Sequence, residues 1–406
     1  MPSALPDLPL PAGIRSRLVP GINGLTMHVL EAGHEQPGRP CVLLLHGFPE
    51  LAYSWRKVML PLAQAGYHVV APDHRGYGRT TGWDARYDGD VASFRFFNLV
   101  RDTLGLIAAL GHCSVAAVVG HDFGSPLAAW CALVRPDVFR SVALMSAPFG
   151  GPPGLPVTDP HTGAAIGTLG DLDGSPAITP AAMPVGPAPT AAQLDAQLAS
   201  LEVPRKHYQW YYSTPAADTD MRHCPQGIHS FLRAYYHHKS ADWLGNRPFE
   251  LASWAPTELA RMPTYYVMHR RADMAATVAE HMPSAAAVAA CEWLPEDQLR
   301  VYSSEFARTG FQGGLQWYRC GTLGLQVAEQ QMFAGRAIEV PATFIAGASD
   351  WGVYQKPGEL QRMAGPLCRR FEGITMIDSA GHWVQQEQPD AVARHLLAFL
   401  ERRRPA

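Results

Sequence analysis

Gly120-His121-Asp122-Phe123-Gly124 is the stretch that decides the fold. The apolar run Ser114 to Gly120 comes directly before its acid, and the helix-like segment Ser125 to Leu133 follows it. The order small-x-acid-x-small between a strand and a helix is typical of a sharp turn that lifts its central side chain above a sheet. The pattern therefore predicts Asp122 at the carboxyl end of a buried strand. In the alternative interpretation Asp122 is only the N-cap of the helix.

The chain on both sides of this turn alternates strand-like and helix-like runs, which is typical of a mostly parallel sheet flanked by helices. Five strands are predicted before residue 147, at Leu25 to Leu30, Cys41 to His46, His68 to Pro72, Ser114 to Gly120 and Phe139 to Met145. The alternation resumes near residue 340, with strands at Ala342 to Ala348 and Gly373 to Ile377 and a last helix at Asp390 to Glu401.

Residues 148–339 interrupt this alternation. A Pro/Gly/Ala-rich stretch at 150–191 leads into segments rich in His, Trp and Tyr that have helical periodicity. We therefore expect an α/β core formed by 1–147 and 340–406, with a large, mainly helical cap (148–339) inserted after the sixth strand. The stretch 150–191 is either part of this cap or a partly disordered linker.

The bulk composition excludes several classes of function. Hydrophobic residues make up 47% of the 406 and charged residues 17%, as in ordinary globular proteins. A net charge of -3, from 33 Lys+Arg and 36 Asp+Glu, gives no field that would attract nucleic acid or an anionic membrane. No apolar run approaches the roughly 18 residues of a membrane span, and no signal peptide is recognisable. The seven cysteines are scattered without a C-x-x-C pair, so reduced thiols in the cytoplasm and no zinc site are expected.

Two further segments at predicted strand ends complete a catalytic pattern with Asp122. Asp350 comes just after the strand that begins at Ala342, and His382 follows the strand that ends at Ile377. Open α/β sheets place their sites at the carboxyl ends of strands. A carboxylate nucleophile attacks saturated carbon and leaves an ester that water can cleave. We therefore expect an epoxide or a carbon–halogen bond as the target, with Asp122 as nucleophile and His382, held by Asp350, as the base.

The segment His46-Gly47-Phe48-Pro49-Glu50, after the strand that begins at Cys41, is a candidate oxyanion loop. The N–H groups of Phe48 and Phe123 would bind the oxygen that becomes negative during ester hydrolysis, and a cis bond before Pro49 would orient the first of them. The simpler interpretation is a turn that ends a strand.

These motifs together resemble the epoxide hydrolase branch of the α/β-hydrolase superfamily. The resemblance rests on the segments 46–50, 73–78 and 120–124, the Asp350 turn and Gly381-His382. It implies a cap with two tyrosines that hold and protonate the epoxide oxygen.

Two cap segments match the tyrosine positions that the resemblance implies. Lys206 to Tyr212 assigns the first role to Tyr208, with Tyr211 and Tyr212 as competitors, and Gly310 to Arg319 assigns the second role to Tyr318. Aromatic packing between cap and core is the alternative for all of them. The sequence departs from the branch at Phe123, where Trp is common, at Ser125, where Gly is frequent, and in the length of the cap.

The expected substrate is a small apolar epoxide together with water, with no metal and no cofactor. Further substrate-pocket candidates are His46, Pro49, Trp210, Tyr212, Trp317, Trp351 and Trp383. A haloalkane or haloacid dehalogenase with the same triad is one alternative, for which Trp210 or Trp317 would supply a halide donor. A hydrolase-fold binding protein without turnover is another. A homo-oligomer is left open.

Overall fold

The computed structural model describes residues 5–158, 165–169 and 189–403. Its strands, in chain order, are β1 (Ile14–Ile22), β2 (Leu25–Ala32), β3 (Cys41–Leu45), β4 (His68–Pro72), β5 (Val115–His121), β6 (Val142–Met145), β7 (Leu155–Thr158), β8 (Ala165–Leu169), β9 (Arg205–His207), β10 (Val267–His269), β11 (Ile338–Gly347) and β12 (Cys368–Ile377). Eight of them form one sheet in the order β1-β2-β4-β3-β5-β6-β11-β12.

Most of this sheet is parallel. The pairs from β4 through β3, β5, β6 and β11 to β12 are all parallel, whereas β1 pairs antiparallel with β2, and β2 with β4. The carboxyl ends of β3, β5, β11 and β12 consequently lie at one edge of the sheet, which is where the predicted catalytic segments begin. Two small antiparallel pairs, β7 with β8 and β9 with β10, stand apart from the sheet.

Helices cover both faces of the sheet and fill the region between β6 and β11. The α-helices are α1 (Arg56–Gln64), α2 (Phe96–Ala109), α3 (Gly124–Val134), α4 (Ala191–Ala199), α5 (Tyr208–Tyr212), α6 (Ala216–Arg222), α7 (Gly227–Lys239), α8 (Pro256–Leu259), α9 (Met274–Ala279), α10 (Ala285–Ala290), α11 (Glu296–Thr309), α12 (Gln312–Thr322), α13 (Val327–Gln331), α14 (Glu359–Arg362), α15 (Val384–Glu387) and α16 (Pro389–Glu401). Shorter helical turns occur at Ala52–Trp55, Val91–Phe94, Trp351–Val353 and Met363–Leu367. We call α4–α13 the cap helices.

The core has two hydrophobic layers, one on each face of the sheet. Side chains alternate between faces along a strand, so Val118 of β5 joins the layer that contains α3, whereas Val119 joins the layer that contains α1 and α16. Both layers exclude water almost completely, and β3 is buried at every position. This explains why the central strands appear in the sequence as continuous apolar runs.

The predicted fold class is confirmed, with a mostly parallel sheet and helices inserted after the sixth strand. The sequence interpretation missed β1. Its residues Arg15, Ser16 and Arg17 are exposed, so this strand at the end of the sheet lacks the apolar run that marked the others. Within the described ranges, no helix has the length and apolarity needed to cross a membrane. Most of the stretch 150–191, namely residues 159–164 and 170–188, lies outside the described residues.

The cap helices meet the core through a backbone contact. A Cβ added at Gly313, in the first turn of α12, would lie 2.2 Å from the carbonyl oxygen of Gly76 in the loop after β4. One added at Gly314 would lie 2.8 Å from the Phe48 ring. Because only glycine permits this approach, α12 and its Tyr318 are seated directly on the core loops.

Candidate active site

Asp122 occupies the turn between β5 and α3, where its φ of 51° lies in the left-handed region. Asp is among the few non-glycine residues that tolerate this conformation. A Cβ added at Gly120 would lie 1.9 Å from the carbonyl oxygen of Gly124, and one added at Gly124 would lie 2.2 Å from that of Leu45. Both flanking glycines are therefore required, and the tight turn presents the Asp122 carboxylate at the edge of the sheet.

Three of the predicted side chains meet at this edge. The Nε2 atom of His382 lies 3.3 Å from Oδ2 of Asp122, and its Nδ1 lies 3.0 Å from Oδ1 of Asp350. Asp350 follows β11 and His382 follows β12, so the ends of neighbouring strands position them. Oδ1 of Asp350 also accepts a hydrogen bond from the Gly352 N–H at 2.7 Å. The Asp350 carboxylate thus accepts a hydrogen bond from the Nδ1–H of His382 and leaves Nε2 directed at Asp122.

The buried charges of the triad stabilise one another. Burial on its own would raise the pKa of Asp122, but the hydrogen bond and charge of His382, together with the Lys239 ammonium, hold that pKa below its usual range. Burial and Lys239 oppose protonation of His382, yet the Asp350 and Asp122 carboxylates raise the pKa of His382 above its ordinary value. The resting site therefore favours an ionised Asp122 beside a protonated His382.

The loop after β3 brings a main-chain donor to Asp122. The Phe48 N–H donates to Oδ1 of Asp122 at 2.9 Å, and the Phe48-Pro49 peptide bond is cis, as the sequence suggested. A Cβ added at Gly47 would lie 2.4 Å from the Asp122 side chain, so the loop approaches through glycine. Among the described residues, nothing accepts a hydrogen bond from the Phe123 N–H. Both predicted donors are thus adjacent to Asp122.

Tyr208 and Tyr318 come from separate cap helices and converge near Asp122. Their ring centroids lie 5.8 Å apart, and the Tyr318 ring lies 4.6 Å from that of Phe123. The Tyr208 hydroxyl donates to Oε1 of Gln355 at 3.2 Å. Burial raises the pKa of both phenols, and the Asp122 carboxylate raises it further. Both hydroxyls therefore stay protonated at neutral pH.

The two competing tyrosines have other partners. The Tyr211 hydroxyl donates to Oδ2 of Asp220 at 3.0 Å, and the Tyr212 hydroxyl is 3.2 Å from that of Tyr235. Tyr208, by contrast, lines the same cavity as Asp122. The geometry consequently favours Tyr208 over its neighbours for the first tyrosine role.

A cavity of about 220 Å³ lies over Asp122, and its walls mix aromatic and polar groups. The lining residues are Phe96, Asp122, Phe123, Pro126, Trp130, Ala147, Pro148, Phe149, Gly150, Gly151, Tyr208, Gln209, Gln326, Gln330, Gln355, Lys356 and Glu359. As the described residues enclose it, the cavity does not include the pocket candidates His46, Pro49, Trp210, Tyr212, Trp317, Trp351 or Trp383. Their contact with substrate stays a prediction.

Three of these candidates form hydrogen bonds that hold the loops around the site. The Nε2 atom of His46 accepts from the His74 N–H at 3.2 Å, behind the Phe48 loop. The carbonyl oxygen of Pro49 accepts from the Tyr236 hydroxyl at 2.8 Å, and the indole N–H of Trp383 donates to the Tyr236 carbonyl at 2.8 Å. The two contacts of Tyr236 join the core loops to α7 of the cap.

The remaining indoles pack in the cap or at its boundary with the core. Trp317 donates its indole N–H to a main-chain carbonyl oxygen of the core at 3.0 Å. Trp351 packs edge-on against Phe249 with ring centroids 4.8 Å apart, and Trp210 packs against His207 at 5.3 Å. Packing between cap and core was the alternative that the sequence left open for such residues.

The sequence interpretation missed the buried carboxyl group that holds the His382 turn, whose pKa burial raises to about 8. Oε2 of Glu387 accepts from the N–H groups of Ala241 and Gly381 at 2.8 and 2.9 Å, and Oε1 accepts from Trp383 N–H at 2.9 Å. Two of these donors flank His382 directly. Glu387 therefore fixes the main chain on both sides of the base and ties it to the cap. No local pattern marks this role, because all three partners are main-chain N–H groups and one of them, that of Ala241, lies in a distant segment.

A second group of missed residues lies beneath His382. The His382 N–H donates to the Lys239 carbonyl at 2.9 Å, and Nε2 of His121 lies 2.6 Å from the His382 carbonyl oxygen. The other ring nitrogen of His121 lies 2.6 Å from Oε2 of Glu50. The Lys239 ammonium lies 5.0 Å from the centre of the Tyr266 ring, and burial lowers the pKa of this lysine. His382 is thus held by a layer of buried polar groups, and Lys239 in this layer brings a positive charge close to Asp122 and Asp350.

The sequence resembles known enzymes over nearly its full length. The α/β hydrolase fold family matches residues 40–169. Epoxide hydrolase A of Mycobacterium tuberculosis is 31% identical over 380 residues, which cover 93% of this chain and 95% of that protein. An epoxide hydrolase of Caballeronia sordidicola is 30% identical, with coverage of 93% and 91%.

Solved structures of epoxide hydrolases are also similar to this chain over nearly its full length. The epoxide hydrolase from an endophytic Streptomyces has a TM-score of 0.70 and 27% identity, covering 96% of both chains. Epoxide hydrolase A from Mycobacterium thermoresistibile has a TM-score of 0.68 and 28% identity, covering 96% of this chain and 98% of that one. The order of sheet strands, the Asp122 turn and these relatives lead to one conclusion: the chain belongs to the epoxide hydrolase family of the α/β-hydrolase superfamily.

Proposed function

We propose that this protein converts an epoxide to a vicinal diol through a covalent ester on Asp122. The observation that carries the proposal is the position of the Asp122 carboxylate. One oxygen, Oδ1, is held by the Phe48 N–H at 2.9 Å, and the other, Oδ2, faces His382 at 3.3 Å. The two oxygens are therefore not equivalent. Oδ2 is free to attack, and Oδ1 becomes the carbonyl oxygen of the ester in a position already bound by a main-chain donor.

In the first step Oδ2 of Asp122 attacks one ring carbon of the epoxide. The carbon–oxygen bond breaks, and its electron pair goes to the epoxide oxygen, which takes a proton from Tyr208 or Tyr318. The raised pKa values of these phenols support this role, because each phenol is protonated before reaction and is close enough to Asp122 for the carboxylate to raise its pKa. The product of this step is a hydroxyalkyl ester of Asp122.

In the second step His382 removes a proton from water, and the hydroxide adds to the carboxyl carbon of Asp122. The negative charge then lies on Oδ1, within reach of the N–H groups of Phe48 and Phe123. The proton that His382 carried in the resting site goes to the tyrosinate once the ester has formed, so collapse of the intermediate releases the diol, regenerates the Asp122 carboxylate and leaves His382 protonated as at the start. The net change is the addition of one water molecule.

A dehalogenase is the second candidate, and the donors at the site favour an epoxide over it. A departing halide requires N–H donors and not a proton. Phe123 has no side-chain N–H, and the indole N–H of Trp317 is occupied by the Arg75 carbonyl oxygen at 3.0 Å. Two protonated phenols suit a leaving oxygen that must gain a proton.

A single-turnover reaction in water labelled with heavy oxygen tests the covalent role. With enzyme in excess over an epoxide, we expect one heavy oxygen in the peptide that contains Asp122 and none in the diol, measured by mass spectrometry. Label that enters the diol directly would contradict the ester mechanism.

His382→Asn should stop after the first step and accumulate the ester, whereas Asp122→Asn should form none. Release of chloride from haloalkanes without diol formation would favour the dehalogenase, and tight binding without any product would favour a binding protein.

The division into a core of 1–147 and 340–406 and a cap of 148–339 remains part of this proposal, because cap and core each contribute residues to the reaction. We also propose that the protein acts in the cytoplasm. The seven cysteines, all in the described part of the chain, are free thiols, which supports a reducing compartment.

A further inference from the structure

The cavity over Asp122 has a polar wall that the reaction does not use. Gln326 and Gln330 lie one helical turn apart, at and within α13, so their side chains share one face of the helix. Both line the cavity, although they are only 9% and 8% exposed. Carboxamides are rarely buried to this extent without hydrogen-bond partners.

The hydrogen bonds of these carboxamides are incomplete. Oε1 of Gln326 accepts from the Phe96 N–H at 3.2 Å, but no described residue accepts from its amino group. The Gln330 carboxamide makes no hydrogen bond to any described residue, and Gln330 lines the cavity. These unpaired amide groups are available to a ligand or to water that both donates and accepts hydrogen bonds.

Part of the lining is apolar. Phe96, Phe123 and Trp130 line the same cavity, and the rings of Phe96 and Phe123 are 6.4 Å apart. Asp122 and Tyr208 belong to the same lining. A molecule that fills this space therefore contacts a nucleophile, an aromatic surface and a pair of carboxamides together.

The charges around the cavity indicate a neutral ligand. Lys356 and Glu359, the two charged residues of the lining besides Asp122, form an ion pair at 3.3 Å. They compensate each other, so the wall offers no net charge for a carboxylate or an ammonium group. The carboxamides instead match a group that both donates and accepts hydrogen bonds.

We propose that the preferred substrates are epoxides that carry a neutral hydroxyl or primary amide group remote from the ring, which Gln330 and Gln326 bind while the apolar part lies against Phe96, Phe123 and Trp130. This inference rests on the proposed function, since it assigns the substrate class of the same site. The sequence predicted a small apolar epoxide, and this inference changes the expected substrate to an amphipathic epoxide.

The test compares two terminal alkyl epoxides of equal length, one ending in a methyl group and the other in a hydroxyl group. The wild type should have the higher kcat/KM for the hydroxyl compound. Gln330→Leu keeps the side-chain volume but removes the hydrogen bonds, so the ratio of the two kcat/KM values should fall about fivefold, as expected for one neutral hydrogen bond. Gln331→Leu is the matched control on the same helix, because Gln331 instead donates to the Gly154 carbonyl oxygen at 3.0 Å.

A wild type that prefers the methyl epoxide, or a ratio unchanged by Gln330→Leu, would overturn the inference while leaving epoxide hydrolysis intact. Calorimetry with the two hydrolysis products makes the same comparison without turnover. The hydroxyl epoxide gives a triol and the methyl epoxide gives a diol, and their affinities for the protein are compared. If no epoxide reacts but the triol binds more tightly and Gln330→Leu removes the difference, the polar subsite stands and the proposed reaction fails. Equal binding of triol and diol by wild type and variant would mean that the wall holds only water.

Discussion

In the proposed reaction, the charge on His382 must change between the two steps. In the resting site two carboxylates raise its pKa, whereas burial and Lys239 oppose them. Formation of the ester removes the charge of Asp122 and leaves Lys239 in place. The pKa of His382 therefore falls when the ester forms, and the imidazole becomes a neutral base only when a base is required. Glu387 holds the turn around His382, so the ring does not need to move for this change.

We predict that the two steps differ in their dependence on pH. Asp122, with its lowered pKa, is ionised throughout the range of about pH 6 to 9, so ester formation should be nearly constant there. Ester hydrolysis needs neutral His382 and should become slower toward the acid end of this range. Rapid-quench single turnovers measure both rates. Lys239→Met removes a charge that lowers the pKa of His382, so it should shift the acid limb of hydrolysis to higher pH. Identical pH profiles for both steps would contradict the argument.

At the scale of elements, helix α12 is positioned by its glycines. The sequence Gly310 to Arg319 suggested a tyrosine segment, and the structure gives the reason for glycine at position 313, which is its contact with the backbone of Gly76. Tyr318 lies on the same helix, so the contact that seats α12 on the core also sets the distance between its phenol and Asp122. The packing of α12 on the core and the position of Tyr318 therefore depend on the same contact.

We predict that Gly313→Ala displaces α12 and impairs catalysis more than folding. The added Cβ would lie 2.2 Å from the Gly76 carbonyl oxygen, so the helix must shift, at a cost of about 1 to 3 kcal/mol. A shift of this kind should lower kcat about a hundredfold through misplacement of Tyr318. Gly321→Ala, in the same helix but with no atom within 4 Å of its Cβ, should be neutral or stabilise by up to about 1 kcal/mol. Equal effects of the two variants on kcat would refute this reasoning.

The elements also show what can be predicted from sequence. Strands buried on both faces, such as β4, were predicted with correct bounds because their apolar runs are continuous. The residues of the triad follow such strands and were found by their position. β1 was missed because its polar residues obscure the strand pattern. The nearby partners of Glu387 are main-chain N–H groups, which the sequence does not mark. Lys239 was missed because it contacts His382 from a distant segment of the chain. Long-range geometry of this kind leaves no local signature.

For the molecule as a whole, stability toward acid depends on buried carboxylates. Glu31 of β2 is fully buried, and it accepts hydrogen bonds from Arg15 at 3.0 Å and Arg17 at 2.5 Å of the neighbouring β1. Burial alone would raise the pKa of Glu31, but the hydrogen bonds with His68 and the two arginines lower it. The terminal strand of the sheet is consequently attached through an ionised group.

We predict that Glu31→Gln destabilises the protein by about 1.5 to 3 kcal/mol at neutral pH. Because the pKa of Glu31 is lower in the folded than in the unfolded state, its stabilisation is present above the unfolded value of about 4.3 and is lost as the pH falls below it. The difference in free energy of unfolding between wild type and variant should therefore shrink between about pH 7 and pH 3. Urea titrations followed by tryptophan fluorescence measure it. Glu401→Gln, at the exposed end of α16, serves as the control. A difference that stays constant with pH would show that Glu31 acts through packing alone.

The donor that binds Oδ1 of Asp122 belongs to the peptide backbone of residue 48 and not to a side chain. Every amino acid except proline provides the same group. In the proposed mechanism, the side chain at residue 123 can therefore change during evolution without loss of the N–H donor, so a position with a role in turnover can look variable when related sequences are compared. Phe123, where the resemblance led us to expect Trp, keeps the same main-chain N–H.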